Sequence, residues 1–448
     1  MTPVRTLPGP RGHWLLGSLP PLRKDMLGFF EHCFREYGDA AYFRIGGRRS
    51  MLLSHPEDIE RVLVTENRLF IKNYALQFLR PLLGSGLLLN EGESWLRQRR
   101  LIQPAFSRSR IESYAPAMAD CTEQMLSGWS EGQTLNIVTE MAALTMNIAG
   151  RTLLGVDVSG QFSEVTRCVE AVMYDFLARF GAPIPLPYWF PSPRNVRLKR
   201  TIGRLDRVLQ QLIVARRAAG GSGTDLLSTL IAARDEDDGT GLSDRQLRDE
   251  VMTMFLAGHE TTALALSWTW YLLGKHPEIQ RSVREEVSSV LGGQPPTAAD
   301  VPKLVYCERV LREAMRLYPP AYVVGRRPIE DCTIGGHLLP AGHNVLMSQW
   351  IVHRDPRWFD QPLEFNPDRW ADGLASRLPK YAYFPFGGGP RVCVGNTFAT
   401  FEAVLILAAV SQRFHLELMT QGTIKLQPAI VLRPGQPIEM RVVSASGN

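Results

Sequence analysis

Three features that would quickly assign a protein to a class are missing from this sequence. The N-terminus has no apolar run of about 20 residues and no apolar core of a signal peptide. The six cysteines show neither CxxC pairs nor a regular spacing; they lie at positions 33, 121, 168, 307, 332 and 393. We therefore expect a soluble, cytoplasmic protein without a transmembrane anchor, in a reducing compartment, rather than a secreted disulfide framework.

A strong excess of charge is also missing. The formal net charge of +5 and the pI near 8.9 are too mild to indicate nucleic-acid binding. A hydrophobic content of 45% and a charged content of 21% are ordinary for a globular protein. A length of 448 residues would allow about three domains. Because no linker separates such units, we predict one domain spanning residues 1–448.

One glycine-rich loop carries a single cysteine. In the segment FGGGPRVCVG, residues 386–395, three consecutive glycines and a proline favour tight turns. The apolar segment that follows, residues 396–410, predicts a helix. A cysteine just before a helix start meets free backbone N–H groups, which favour the thiolate. One thiolate excludes a four-ligand zinc site but suits an axial ligand of haem iron, with Arg391 near a haem carboxylate. The alternative is a cysteine buried as a small hydrophobic residue.

This loop resembles the signature Phe-x-x-Gly-x-Arg-x-Cys-x-Gly of the cytochrome P450 family. The matching residues are Phe386, Gly389, Arg391, Cys393 and Gly395, and Ala399 falls where the family keeps a small residue under the haem. The resemblance implies a mainly α, triangular domain with a small β lobe, mainly within 38–70 and 321–350. It also implies haem b as cofactor, Cys393 as the iron ligand, and Phe386 and Gly395 as part of the haem-binding loop.

A second motif supplies groups for a carboxylate. Trp95 and Arg99 are spaced i, i+4 and therefore share one helix face. An indole N–H beside a guanidinium can bind one carboxylate, although a surface Trp–Arg stack would give the same pattern. The motif resembles the family's Trp-x-x-x-Arg, which holds a haem propionate. The resemblance assigns the same task to Arg326 and Arg391.

A long helix is predicted from Ser243, whose pairing with Gln246 forms a capping box, to about Lys275. At 1.5 Å per residue it would measure roughly 45–50 Å. Its segment Ala-Gly-His-Glu-Thr-Thr, residues 257–262, is poor helix sequence, which often marks a functional site.

This segment resembles the family's oxygen-binding motif. The matching residues are Ala257, Gly258, Glu260 and Thr261. The first two would let a flat ring and dioxygen approach, whereas Thr261 and Glu260 would deliver protons. His259 is not predicted to be a ligand.

A helix is predicted over residues 300–317, and on it Glu313 and Arg316 are spaced i, i+3 and can form an ion pair on one face. An exposed pair of this kind would contribute little. It resembles the family's Glu-x-x-Arg helix, in which a buried ion network would include Arg369.

The substrate pocket is assigned from family resemblance and from aromatic or apolar segments. The predicted lining residues are Tyr74, Phe78, Leu79, Ala257, Tyr322, Val323 and Ile430. The segments 321–324 and 429–431 are equally readable as short buried strands. The proline-rich segment 181–193 is either a loop over the substrate entrance or a rigid connector whose aromatic residues pack inward. No lysine or arginine in the predicted pocket segments stands out as an anchor for a substrate carboxylate, apart from the ambiguous Lys72 and Arg80. Neutral isoprenoid-like substrates are therefore favoured over free fatty acids and steroids.

The resemblance implies a monooxygenase that uses O2 as co-substrate to hydroxylate or epoxidise a lipophilic small molecule. A separate ferredoxin or flavodoxin with an NAD(P)H reductase would supply electrons, docking on a basic surface near Arg97 and Arg100. We expect a monomer that binds no nucleic acid. The alternatives are a peroxide-using or isomerising haem-thiolate enzyme, against which the Glu260–Thr261 pair argues, and a haem sensor or carrier.

Overall fold

The computed structural model describes residues 8–156, 172, 175, 179, 187–218, 220, 223–235, 237 and 239–445. Most described residues lie in helices. These are α1 Leu19–Lys24, α2 Met26–Tyr37, α3 Pro56–Glu60, α4 Tyr74–Gln77, α5 Arg80–Leu83, α6 Gly92–Ile102, α7 Arg108–Ser127, α8 Ile137–Ala149, α9 Pro193–Ala218, α10 Leu226–Ala232, α11 Asp244–Lys275, α12 Pro277–Leu291, α13 Val305–Leu317, α14 Gln349–Val352, α15 Leu374–Arg377 and α16 Asn396–Arg413. No helix in these ranges is both long and apolar enough to span a bilayer.

The strands are short. They are β1 Ala40–Ile45, β2 Arg48–Leu53, β3 Phe70–Lys72, β4 Thr134–Asn136, β5 Val324–Pro328, β6 Cys332–Ile334, β7 His337–Leu339, β8 Asn344–Met347, β9 Phe414–Leu418, β10 Leu426–Pro428, β11 Leu432–Pro434 and β12 Glu439–Ser444. The largest sheet has the order β1-β2-β8-β5-β3, in which only β2 and β8 pair in parallel. Smaller sheets join β4-β12-β9, β10-β11 and β6-β7.

Helix α11 is the buried axis of the helical core. Ser243 accepts from the Gln246 backbone N–H and Gln246 reaches back to it, so the predicted capping box is confirmed. The 32-residue helix continues through the unfavourable segment at 257–262 without interruption. Trp268 and Trp270 are fully buried, and Trp268 stacks on Tyr318 with ring centroids 4.4 Å apart. Packing therefore outweighs weak local helix propensity.

The scaffold network predicted around Glu313 is confirmed. Glu313 and Arg316 are both fully buried and joined by two hydrogen bonds, of 2.8 and 2.9 Å. Arg369 Nε donates to Glu313 Oε1 at 2.8 Å, and Trp370 Nε1 donates to the other oxygen at 2.9 Å. Arg316 also donates to the carbonyl oxygen of His353. These bonds tie α13 to the chain that leads into the cysteine loop.

Several sequence-based boundaries were wrong. The helix predicted over 300–317 is a 3-10 turn at Val301–Lys303 followed by α13. The segments 321–324 and 429–431, which could also be read as short strands, do not form strands over these bounds. Strand β5 begins only at Val324, and residues 429–431 connect β10 to β11. In each case a proline or a tertiary contact overrides apolar patterning.

Candidate functional site

All the sequence-predicted site residues line one cavity. Its volume is about 1460 Å³, and it lies between helix α11, the cysteine loop that precedes α16, and the largest sheet. The predicted residues that line it are Tyr74, Phe78, Leu79, Trp95, Arg99, Ala257, Gly258, Glu260, Thr261, Tyr322, Val323, Arg326, Phe386, Arg391, Cys393, Gly395, Ala399 and Ile430. The fold thus brings together segments that are more than 350 positions apart in the chain.

The cysteine loop is held by backbone geometry. The Cys393 N–H donates to the Phe386 carbonyl oxygen at 3.0 Å, which closes the loop. Gly389 has φ +66°, and a Cβ there would lie 1.8 Å from the Leu63 carbonyl oxygen, so no other residue fits. Cys393 is therefore presented to the cavity, where its side chain is accessible although protein surrounds it.

The backbone N–H at the helix start acts in the expected direction, favouring the thiolate, but it does not set the net shift of the Cys393 pKa. Burial raises the pKa of the Cys393 thiol, and the Gly395 N–H and the Arg99 guanidinium offset that effect only in part. Desolvation of the charged sulfur outweighs the local field because the cavity is enclosed by protein. A cation bound at the sulfur would supply the missing stabilisation.

A cluster of buried cations lies at one side of the cavity. Strands β3 and β5 pair Lys72 with Arg326, and both side chains are largely buried. Burial lowers the pKa of Lys72 well below its usual value, and the positive charges of Arg326 and Arg391 lower it further. Burial, with a contribution from Arg391, lowers the pKa of Arg326 to about 10. Glu91 is the acidic neighbour of this cluster, so negative charge is in deficit there.

Lys72 is the residue whose placement the sequence reasoning missed. The sequence suggests Lys72 only as an ambiguous anchor for a substrate carboxylate. The antiparallel register that sets Lys72 beside Arg326 is a contact between strands 254 positions apart, and no local pattern encodes it.

Trp95, Arg99 and Arg391 meet as predicted, but with different partners. The guanidinium of Arg391, not that of Arg99, lies over the Trp95 ring at 3.9 Å. Arg391 also donates to the Asn90 carbonyl oxygen at 2.7 Å and forms an ion pair with Glu91. Arg99 Nη1 donates to the Val392 carbonyl oxygen at 2.9 Å, beside the cysteine. Arg99 of α6 and Arg391 of the cysteine loop thus connect the helix to the loop.

Helix α11 forms the opposite wall. Ala257 is exposed to the cavity, and the Thr261 hydroxyl donates to the Ala257 carbonyl oxygen at 2.9 Å. Gly258 serves helix packing, because a Cβ there would lie 3.2 Å from a methyl carbon of Leu153. Thr253 and Thr262 of the same helix also line the cavity but are buried, whereas Thr261 is partly exposed there, beside the small residue Ala257.

Glu260 has a partner that the sequence did not suggest. Arg433, on β11, donates from Nε to Glu260 Oε1 at 2.6 Å. His259 is buried on another face of α11, with Nδ1 2.8 Å from the Phe255 carbonyl oxygen, and it does not line the cavity. Burial lowers the pKa of His259, which favours its neutral form.

The predicted substrate residues differ in their surroundings. Leu79 is buried in the core, whereas Phe78 is half-buried and its carbonyl oxygen accepts from the Tyr188 hydroxyl at 2.5 Å. Tyr74 packs between the guanidinium groups of Arg48 and Arg327, 4.6 and 4.4 Å from its ring centroid.

Near the C-terminus, the Tyr322 hydroxyl donates to the Ala429 carbonyl oxygen at 2.6 Å, so it serves to hold the β10–β11 hairpin. Val323 and Ile430 are half-buried.

The proline-rich segment follows neither alternative completely. Residues 181–186 lie outside the described residues. Tyr188 packs inward, but Trp189 is 76% and Phe190 45% exposed.

The surface near Arg97 and Arg100 carries less free positive charge than predicted. Arg100 forms ion pairs with Asp235 and Asp237, and Arg97 lies 3.5 Å from Asp235. Arg97 also donates to Thr240. These aspartates belong to the segment between α10 and α11, which the fold places against α6.

The donor set fits a haem group better than a protein-ligated metal. No group of three or more histidine, cysteine, aspartate or glutamate side chains able to hold a metal ion occurs among the described residues. One cysteine faces the cavity, and the cluster of Lys72, Arg326 and Arg391 has a deficit of negative charge. A haem would match both features, because it needs one axial ligand and brings two carboxylates.

Comparison with known proteins gives a consistent result. The family model described as cytochrome P450 matches residues 7–442. The chain is 36% identical over 431 residues to "Cyclooctatin synthase" of Streptomyces melanosporofaciens, covering 96% of this chain and 92% of that protein. It is 35% identical over 427 residues to "Cyclooctat-9-en-7-ol 5-monooxygenase" of the same organism, covering 93% of each. It is 33% identical over 400 residues to "Pentalenene oxygenase" of Streptomyces avermitilis, covering 89% and 87%.

Proposed function

This chain belongs to the cytochrome P450 family, and we propose that it oxygenates a neutral, terpene-like small molecule with Cys393 as the haem-iron ligand. Membership confirms the predicted fold class, the haem b cofactor and the monooxygenase activity with O2. The observation that carries the residue assignment is the single cysteine presented to a cavity whose opposite wall bears Thr261.

The haem would be held at both its centre and its edge. Cys393 would bind the iron, with Phe386, Gly395 and Ala399 lining the adjoining wall. The propionates would be bound by the cationic cluster together with Trp95 and Arg99. When bound, the haem supplies the redox chemistry that splits O2, one atom entering the substrate and the other leaving as water.

The protein's own contribution to the reaction is proton supply. The reaction consumes two protons and two electrons for each O2. Thr261 presents a hydroxyl at the cavity, and we assign to it the final proton transfer. Glu260 lies at the adjacent position in an ion pair with Arg433, whose side chain is partly exposed. This pair would connect the cavity to solvent.

The substrate proposal rests on the cavity walls and on the relatives. Leu87, Leu153, Met254 and Leu256 are apolar residues that line the cavity near α11. Lys72, an alternative anchor for a fatty-acid carboxylate, lies instead in the cationic cluster. Two relatives are named for oxygenating cyclooctat-9-en-7-ol and pentalenene, neither of which is a carboxylic acid. A neutral isoprenoid is therefore favoured over a fatty acid.

Family members receive electrons from redox partners. We propose a separate ferredoxin or flavodoxin with its reductase, a monomeric enzyme and a cytoplasmic location. An acidic donor docking near Arg97 and Arg100 would have to compete with Asp235 and Asp237 for these arginines. Raised ionic strength would weaken both kinds of pair, so the salt dependence of reduction should be shallow.

The first test is a spectral titration of the purified ferric enzyme with terpenes, steroids and long-chain fatty acids. Displacement of water from the iron shifts the Soret band, so binding is measured without a redox partner. A shift with neutral polycyclic compounds is expected. A shift confined to long-chain acids would contradict the substrate proposal.

The assignment of Thr261 is tested by the product formed per NAD(P)H consumed in a reconstituted system. Thr261→Ala should reduce this ratio severalfold. Thr262→Ala is the matched control, because the Thr262 hydroxyl donates to the Gly258 carbonyl oxygen from a buried position. An equal loss in both variants would contradict a specific role for Thr261. Full activity of the Thr261 variant with hydrogen peroxide alone would favour a peroxide-using enzyme.

A further inference from the structure

Helix α9 has a strongly cationic outer face. Its buried residues Leu198, Ile202, Leu205 and Leu209 form one apolar stripe against the core. Exposed arginines lie on the opposite side, at positions 197, 200, 204 and 207. This i, i+3, i+7, i+10 spacing places all four side chains within an arc of about 80°. The helix thus turns its charge directly away from the protein.

These four arginines form no ion pair with any residue that the structure describes, and Arg207 donates only to the Gly203 carbonyl oxygen of its own helix. Most other charged residues of α9 have partners; the exposed Lys199 is the exception among the described residues. Those ion pairs are Arg194–Asp175, Arg216–Asp225, Arg217–Asp244 and Asp206–Arg248. Apart from Lys199, the unpaired positive charge of α9 is therefore concentrated in the stripe of four arginines.

Two exposed aromatic residues lie at the N-terminal end of the same helix. Trp189 and Phe190 pack against each other with ring centroids 6.3 Å apart. The segment is fixed, because Asn195 Nδ2 donates to the Pro187 and Phe190 carbonyl oxygens at 2.8 and 2.7 Å. The exposure of these rings is thus built into the fold, although leaving a large ring in water is unfavourable.

We propose that this surface, defined by Trp189, Phe190 and the four arginines, docks the protein on a lipid bilayer that contains anionic phospholipid. Tryptophan and phenylalanine insert at the boundary between headgroups and acyl chains, while arginines bind the headgroup phosphates. The charge is complementary to an anionic membrane and not to a neutral one. The aromatic pair favours a bilayer over an acidic soluble protein, because it needs an apolar phase to enter.

The surface adjoins the cavity. Tyr188, next to Trp189, bonds through its hydroxyl to the carbonyl oxygen of the cavity residue Phe78. A lipophilic substrate dissolved in the bilayer would therefore be near the enzyme's cavity wall. This consequence for substrate supply rests on the proposed function, whereas membrane docking itself does not.

Co-sedimentation of the haem-loaded enzyme with phosphatidylcholine vesicles, with and without 30% phosphatidylglycerol, tests the proposal. We expect binding to the anionic vesicles alone, reversed by 0.5 M NaCl. Arg200→Gln, Arg204→Gln and Arg207→Gln combined should lower the partition coefficient about a hundredfold, at roughly fivefold for each arginine. The matched control replaces Arg68, Arg281 and Arg377, which are exposed elsewhere, with glutamine. An equal loss of vesicle binding in that control would show that only the net charge of the protein matters, and it would overturn the proposal.

Insertion of the aromatic pair is tested separately. Brominated lipids in the anionic vesicles should quench part of the tryptophan fluorescence, and Trp189→Phe should abolish that quenching while leaving the haem spectrum unchanged. Quenching that persists in this variant would place another tryptophan at the membrane. Unchanged vesicle binding in the triple variant, combined with slower reduction by the ferredoxin, would assign the surface to a protein partner instead. Either result would overturn the proposal.

Discussion

Arg433 and Glu260 are joined by a hydrogen bond of 2.6 Å, although 173 positions separate them in the chain. Glu260 is largely enclosed, with 11% of its side chain exposed, whereas 31% of the Arg433 side chain is exposed. The pair therefore bridges from the cavity wall on α11 to the protein surface at β11. It places the Glu260 carboxyl group between the cavity and the protein surface.

We expect Glu260→Gln to lower turnover by roughly 10- to 100-fold, because an amide cannot pass a proton to the cavity. The kinetic solvent isotope effect on turnover should rise in the same variant, since proton transfer would then limit the rate. Arg433→Lys keeps the positive charge and should retain most of the activity. Turnover and an isotope effect equal to those of the unaltered enzyme in Glu260→Gln would contradict this role.

Lys72→Met should have opposite effects on the haem-free and haem-loaded protein. Without haem, the substitution removes a buried cation that faces Arg326 and Arg391, so the free energy of unfolding should increase. With haem, it would remove a proposed partner of a propionate, and haem should leave roughly tenfold faster. Haem transfer to apomyoglobin and urea unfolding of the apoprotein measure the two effects. Arg68→Met, at an exposed position, is the control and should change neither.

Arg316→Met should destabilise the fold by about 3–5 kcal/mol, because it leaves the buried Glu313 carboxylate without its main cation. Guanidinium-induced unfolding measures this loss. The exposed pair Arg108–Glu112 provides the comparison, and Glu112→Gln should cost less than about 0.5 kcal/mol. Comparable losses in the two variants would show that burial of the network does not matter.

Glu250 should make stability depend on pH. Its Oε2 accepts from the Leu87 N–H at 2.9 Å, and burial raises its pKa to about 8. The folded state therefore holds a proton that the unfolded state releases near pH 4.5, the ordinary value. The stabilisation is complete below pH 4.5, is lost progressively as pH rises to about 8, and changes no further above that.

Glu250→Gln removes this titration. The variant should resemble the unaltered protein at pH 5 and be more stable at pH 9, by up to about 4 kcal/mol. Unfolding free energies at the two pH values provide the measurement. A stability difference that is independent of pH would show that Glu250 does not titrate in this range.

Features with a local cause could be predicted from the amino-acid sequence. The glycines of the cysteine loop, the Ser243 capping box and the i, i+3 pairing of Glu313 with Arg316 all depend on backbone conformation or on spacing within one helix. These features carried the family resemblance, and with it the fold class, the cofactor and the type of reaction. Element boundaries near prolines were less well predicted, as in the late start of α13.

The pairing of residues that are distant in the chain depends on how the elements pack together. Arg433 pairs with Glu260, Lys72 lies beside Arg326, and Asp235 neutralises part of the surface at Arg100. Each contact joins segments that are far apart in the chain. The periodicity of helices and strands relates only nearby residues, so the sequence pattern does not predict these contacts. The exposure of Trp189 was likewise undecided, since an aromatic residue in a proline-rich loop can face either the core or solvent. Long-range packing sets these choices, because it fixes which side of each element meets the rest of the protein.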